Sequence, residues 1–161
     1  MLKTLRIMLV YGLSFFLQPS ASALDLQLND IDGNAFNLSE YRGKWIVLSF
    51  WASWCPSCRA EVSELNSFYS HNRTRAVVLG VNIEDEMDIT ELRRASSQFG
   101  IRYPVTKSNA RLEHHFGAIE VLPTTYILDP HGNIVGSDVG LVTREDLEQF
   151  ITTTEPGIAP L

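Results

Sequence analysis

Apolar residues recur along the chain in two rhythms. Trp45 to Phe50 and Ala76 to Ile83 are unbroken apolar runs rich in β-branched and aromatic residues. Each suits a strand covered on both faces. Between them Val62, Leu65, Phe68 and Tyr69 recur at helical spacing from Cys58, with Arg59, Glu61, Ser63, Glu64 and Ser67 interleaved. Strand, helix and strand in that order predict a right-handed βαβ unit. A second helical stripe follows at Ile89, Leu92, Ala95 and Phe99, entered from the acidic stretch Glu84 to Asp88 and stopped at Gly100. Acidic residues there match the positive end of a helix dipole.

The remaining segments are shorter. Ile101 to Thr106 reads as extended, and Asn109 caps a brief helix with Leu112, His115 and Phe116 turned inward. Thr124 to Leu128 reads as a strand, Asp129 to Asn133 as a turn, and Ile134 to Gly140 as the returning strand. Thr143 with Asp146 three positions on begins a last helix that buries Leu147, Phe150 and Ile151. Ahead of all this, Leu26 to Leu28 and Ala35 to Leu38 flank a turn at Asp30 to Asn34 and predict a short hairpin. The pattern is that of one α/β domain over residues 24–152, with a central mixed sheet flanked by helices and an N-terminal β-hairpin extension.

The two ends carry other signals. Lys3 and Arg6, the mostly apolar Ile7 to Leu17, and Ala21-Ser22-Ala23 form a secretory signal over residues 1–23. If uncleaved, it is a membrane anchor instead, although the apolar run is short for spanning a bilayer. Beyond Thr152 there is no periodicity, and residues 153–161 are expected to be a disordered tail. The whole chain has 13 basic and 19 acidic side chains, a net charge of −6. Loss of Lys3 and Arg6 with the leader makes that balance more acidic. Such a surface argues against nucleic acid or an anionic membrane as a partner.

Chemistry concentrates at Trp51-Ala52-Ser53-Trp54-Cys55-Pro56-Ser57-Cys58, which holds both cysteines of the chain in C-x-x-C spacing. The pair falls where a buried strand ends and a helix begins, so unpaired N–H groups and the helix dipole favour a thiolate on Cys55. C-x-x-C thiols at helix N-termini titrate at about 3.5–7.5, against about 8.5 for a free cysteine. Pro56 fits a first turn that needs no N–H from it. A structural zinc site would need two more ligands, and no further cysteine or spaced histidine pair supplies them. A purely structural disulfide across two residues would do little stapling. His114, His115, His71 and His131 read as surface histidines, and Trp51 as packing.

The segment Phe50 to Cys58, together with Val121-Leu122-Pro123-Thr124-Thr125-Tyr126-Ile127-Leu128-Asp129-Pro130, resembles the thioredoxin superfamily. The hairpin and the Tyr41-Arg42-Gly43-Lys44 entry resemble its extracytoplasmic TlpA/ResA branch, and the likeness spans about Leu26 to Ile151. It implies a thiol–disulfide oxidoreductase in the periplasm, using no metal or organic cofactor, with Cys55 as nucleophile and Cys58 as resolving thiol. It also implies that Leu122-Pro123 is cis, against the bond's ordinary trans preference. Pro123 would then face the cysteines, with Trp54, Pro56, Leu122, Pro123 and Thr124 contacting substrate.

Thioredoxin itself has a buried aspartate on the strand before the motif, and here that position is Ser49. Glu61, three residues past Cys58, is the acid/base candidate that the resemblance suggests, placed by its spacing on the neighbouring helix surface. The implied partners are protein disulfide or dithiol substrates, apocytochrome c among them, and a membrane thiol carrier as electron donor, for a monomeric protein. The rivals are a disulfide-forming oxidase and a non-catalytic docking or chaperone module. DsbA-like oxidases carry a large helical insertion after the second strand of the fold, whereas Glu84 to Gln98 leaves room for one helix. A peroxidase would want a threonine-containing loop around Cys55, which Trp54-Cys55-Pro56 does not offer.

Overall fold

A computed structural model describes residues 25–154. The leader assigned to residues 1–23 and the tail from residue 155 onward lie outside them. The chain opens with a hairpin, β1 (Gln27–Asn29) and β2 (Ala35–Asn37), followed by a single 3-10 turn at Leu38–Tyr41. Then come β3 (Trp45–Trp51), α1 (Pro56–His71), β4 (Ala76–Asn82), α2 (Ile89–Phe99), β5 (Val105–Lys107) and α3 (Ala110–Phe116). Strands β6 (Thr124–Leu128) and β7 (Ile134–Val139) and helix α4 (Arg144–Thr154) complete the fold.

The main sheet has the order β5-β4-β3-β6-β7. Strands β3, β4 and β5 run parallel, and β6 and β7 are antiparallel to their neighbours. Every residue of β3 and β4 is buried, which is why both read as unbroken apolar runs. Side-chain alternation sorts the core into two layers. Trp45 and Val47 meet Leu65 and Phe68 of α1 and Leu147 and Ile151 of α4 on one face. Ile46, Leu48 and Phe50 meet Leu112 and Phe116 of α3, together with Leu26, Leu28 and Leu38 of the hairpin region, on the other. The hairpin is pinned to β5 by Ile31 N–H donating to the Val105 carbonyl and by the Thr106 hydroxyl donating to the Asn29 carbonyl.

Local signals set the helix ends. Asp88 and Glu91 form a reciprocal capping box at the start of α2, and Gly100 ends that helix with φ of 71°, a left-handed value that favours glycine. Asn109 caps α3 through the N–H groups of Arg111 and Leu112. Thr143 and Asp146 bond reciprocally ahead of α4. The segment from Glu84 to Gln98 holds one helix, α2, and nothing larger.

Three expectations need correction. Ile89, assigned to the apolar face of α2, is 42% exposed because it is the first helical residue and precedes the contact with Trp51 and Val105 that buries Leu92 and Ala95. His115, assigned inward, is only half-buried, since Leu112 and Phe116 fill the core side of α3. The last helix runs to Thr154, two residues past the expected end of the domain.

Leu48, fully buried in the central strand, tests this core on the face away from α1. Leu48→Ala is expected to lower the unfolding free energy by about 2–5 kcal/mol, measured by urea titration with an unchanged denaturant slope.

Candidate active site

Strand β3 ends at Trp51, and the chain turns through Ala52, Ser53 and Trp54, closed by Cys55 N–H donating to the Ala52 carbonyl. Cys55 then stands at the N-cap of α1 in an extended conformation, with Pro56 as the first helical residue. Its sulfur accepts the Cys58 N–H at 3.1 Å, so one of the orphan donors of the helix start is aimed at the sulfur itself. Cys55 and Cys58 are joined as a disulfide with their Cα atoms 5.3 Å apart. Both are buried, while Trp54 is 66% exposed and Pro56 is exposed beside them. A projecting indole and a proline ring thus form an apolar rim around a recessed sulfur pair.

Glu61 departs from the surface position that its spacing suggested. It is 1% exposed, inside the protein between α1 and the sheet. Ser49 Oγ donates to one carboxylate oxygen at 3.1 Å, and Val142 N–H donates to the other at 3.0 Å. Burial pushes the Glu61 pKa up, the two hydrogen bonds oppose that, and the negative charge of Asp138 adds to the rise. Tyr103 is buried too, and its phenol is pushed up by burial and then by the charge of Glu61. The serine standing where thioredoxin has an aspartate is therefore a hydrogen-bond partner for a carboxylate supplied by the helix.

The Leu122-Pro123 bond is cis. Pro123 and Thr124 are buried and Leu122 is half-buried, packed against the cluster of Trp51, Ala52, Cys55 and Cys58. The Thr124 hydroxyl donates to the Val121 carbonyl, and the Pro123 carbonyl accepts Gly140 N–H. Leu122 and the cysteines share one apolar cluster although 64 residues separate Leu122 from Cys58 in the chain.

Glu84 and Asn82 were not singled out in the sequence. The Glu84 carboxylate accepts Ser53 N–H at 2.6 Å, the Ser53 hydroxyl at 2.9 Å and the Asn82 side-chain amide at 3.0 Å. It therefore holds the turn two residues before Cys55, beside a cleft of about 680 Å³ that Met87 and Glu91 also line. The one available signal was Asn82, a polar residue closing an apolar strand and fully buried. The His114 and His115 rings lie edge to face on α3, and the His71 ring is bonded to the Ser67 carbonyl at the end of α1. Trp51 packs as expected, its ring 5.3 Å from that of Phe99.

A mixed sheet with a C-x-x-C disulfide at a helix N-terminus, packed against the residue that precedes a cis proline, is a thioredoxin-fold redox site. The chain belongs to the AhpC/TSA family, whose model matches residues 19–137. It is 30% identical over 151 residues to the thiol-disulfide oxidoreductase ResA of Geobacillus kaustophilus (strain HTA426), covering 89% of this chain and 84% of that one. A thiol:disulfide interchange protein of Chlorobium tepidum TLS, a thioredoxin family protein, superposes with a TM-score of 0.72 at 25% identity, over 82% of this chain and 94% of that one. The pneumococcal exposed lipoprotein thioredoxin of Streptococcus pneumoniae strain TIGR4 gives a TM-score of 0.67 at 27% identity, over 80% of this chain and 98% of that one. The protein is an enzyme of the thiol–disulfide oxidoreductase class.

Two outcomes follow from the two carboxylates. Folding raises the Glu61 pKa, so between the unfolded and folded values the native protein holds a proton that the unfolded chain has released. The stability contribution of Glu61 is thus complete below the unfolded value and is lost as pH rises through the folded one. Glu61→Gln should raise the thermal midpoint relative to the parent at about pH 8, with the gap closing toward about pH 4.3, the ordinary glutamate value. A gap that stays constant with pH would contradict the shift. Glu84→Ala removes a charged acceptor from Ser53 and should cost about 1–3 kcal/mol, read by chemical denaturation.

Proposed function

We propose that the protein is an exported reductant of protein disulfides. The observation that carries this reading is the Cys55–Cys58 disulfide at the start of α1 with the buried Glu61 three residues further along the same helix. In the reduced enzyme the Cys55 thiolate, favoured by the Cys58 N–H and the helix dipole, attacks one sulfur of a substrate disulfide. The substrate S–S bond breaks, and its second sulfur leaves as a thiolate that takes up a proton. Cys58 then gives its proton to Glu61 and attacks the Cys55 sulfur. The bond between Cys55 and substrate breaks, the substrate leaves carrying two electrons, and the enzyme disulfide is formed.

Trp54 and Pro56 serve as the exposed substrate rim, with half-buried Leu122 beside it and the buried Pro123 and Thr124 forming the floor behind it. The Leu122 backbone has no hydrogen-bond partner among the described residues, which leaves it free to pair with an extended substrate segment. Export rests on the residue 1–23 leader and on similarity to a protein described as an exposed lipoprotein thioredoxin. In that compartment a dithiol reductant needs an electron source, and a membrane thiol carrier is the donor class that restores Cys55 and Cys58. We include apocytochrome c among the substrates on the resemblance to the TlpA/ResA branch. The working unit is a monomer.

The test is the redox equilibrium of the pair in defined dithiothreitol or glutathione buffers, followed by thiol trapping. A midpoint near about −270 mV, the thioredoxin value, is expected. One near about −120 mV, the DsbA value, would make the enzyme an oxidant. Cys58→Ser should accumulate a mixed disulfide through Cys55, visible by mass spectrometry, while Cys55→Ser should abolish disulfide reduction. Activity retained without Cys55 would favour a docking module.

A further inference from the structure

Glu61 is buried, so the proton it takes from Cys58 needs a way out, and the sheet register sets a polar row beside it. Ser49 on β3 is paired with Thr125 on β6, and Thr125 is paired with Asp138 on β7. Directly paired residues of antiparallel strands project from the same face, with Cβ atoms about 4.5–5.5 Å apart. Ser49, Thr125 and Asp138 therefore form a polar row across three strands, on the face where α1 and α4 pack. The row begins at Glu61, through the Ser49 hydrogen bond, and ends at Asp138, which is exposed on the outermost strand.

The middle of the row is the informative part. Thr125 is fully buried, and its hydroxyl has no hydrogen-bond partner among the described residues. Leaving a buried hydroxyl unpaired is costly unless it meets water. Thr125 lines a cavity of about 220 Å³ between β6, β7 and α4, bordered also by Asp138, Val142, Asp146 and Phe150. A water molecule occupies about 30 Å³ of liquid volume, so this space has room for several. Val142, which borders the same cavity, is the residue whose N–H is bonded to Glu61. The charge of Asp138, which lines this cavity, opposes ionisation of Glu61.

We propose that Thr125 and the water in this cavity form the proton path between Glu61 and solvent, opening beside Asp138. The path rests on the acid/base reading of Glu61 and deepens it. When Cys58 is deprotonated, the Glu61 carboxylate takes the proton, a hydrogen-bonded chain through the cavity carries it outward to bulk water beside Asp138, and the carboxylate is restored. No electrons move along this route. The groups facing Glu61 are Asp138 from β7, Tyr103 from the segment before β5, and Cys58 one turn back on α1. Asp146 of α4 faces the outer part of the cavity. None of these is a cation that would fix Glu61 in its charged form.

The test uses the full chain carrying Thr125→Val, which removes the hydroxyl at nearly constant shape, beside Thr125→Ser, which keeps it, and Glu61→Gln. Each pre-reduced protein is mixed with oxidised glutathione in a stopped-flow instrument. The phase independent of glutathione concentration reports attack by Cys58 on the mixed disulfide, and it is followed against pH in H₂O and D₂O. Thermal midpoints check that each variant is folded. Thr125→Val is expected to slow that phase roughly tenfold, less than the about 10²–10⁴-fold range of a lost acid–base group, with an altered pH profile and solvent isotope effect. Thr125→Ser should restore parent behaviour, which a purely packing role for the threonine methyl would not do. If Thr125→Val matches the parent while Glu61→Gln is slow, the path is wrong and the acid/base role stands. If Glu61→Gln is itself as fast as the parent, both fall.

Discussion

A carboxylate inside a protein must be met by donors, because the cost of removing it from water is not otherwise recovered. Glu61 sets that requirement here. Its two acceptor sites are filled by Ser49, from the central strand, and by Val142 N–H, from the loop leading into α4. Three elements distant in sequence thus meet at one side chain, one turn beyond Cys58. The packing of α1 and α4 side by side on the sheet follows the same geometry, with Leu65 and Phe68 of one helix and Leu147 and Ile151 of the other in one cluster. A fold that failed to bring Val142 to this point would leave a charge buried and half satisfied.

The second carboxylate works from the opposite side of the cysteines. Glu84 lies beyond the end of β4 and gathers the N–H and hydroxyl of Ser53, which fixes the turn from β3 into α1. Asn82 joins it to the strand, its side-chain amide nitrogen donating to the Glu84 carboxylate while its side-chain Oδ1 accepts Glu84 N–H. The reactive turn is thereby tied to the neighbouring parallel strand, ahead of Cys55, while Glu61 lies behind Cys58. One acid is positional and surrounded by polar donors, and the other is placed where burial favours its protonated form.

Much of this was readable from the chain. The runs in β3 and β4, the stripe in α1 and the turn at Asp129 to Asn133 each carry a period or turn chemistry that tertiary packing did not override. Cys55, Cys58 and Pro123 came from spacing and resemblance, and the structure brings Leu122, next to that proline, into one cluster with both cysteines. The depth of Glu61 was available but passed over: Cys58, Glu61, Leu65 and Phe68 form a single helical stripe, and its other three members are core residues. Spacing from Cys58 alone places the glutamate on the helix surface, whereas the stripe as a whole places it inside. Glu84 was harder, because a carboxylate in an acidic loop reads as solvated, and only the fold reveals that Ser53 lies beside it. Ile89 erred the other way: an apolar residue at the right phase is exposed because the helix has barely begun.

Strand β7 forms one edge of the sheet and carries Ile134, Val135 and Val139 on its exposed surface. Its free backbone edge is a template on which another chain can pair. Asp138 is the sole charge in the strand, and the register shift between Ile127 and Leu128 interrupts its pairing with β6. Those two irregularities act as guards against edge-to-edge association. The same carboxylate that marks the outer end of the polar row is thus also the charge that an incoming strand would have to cover, so the side chain answers to colloidal as well as chemical demands.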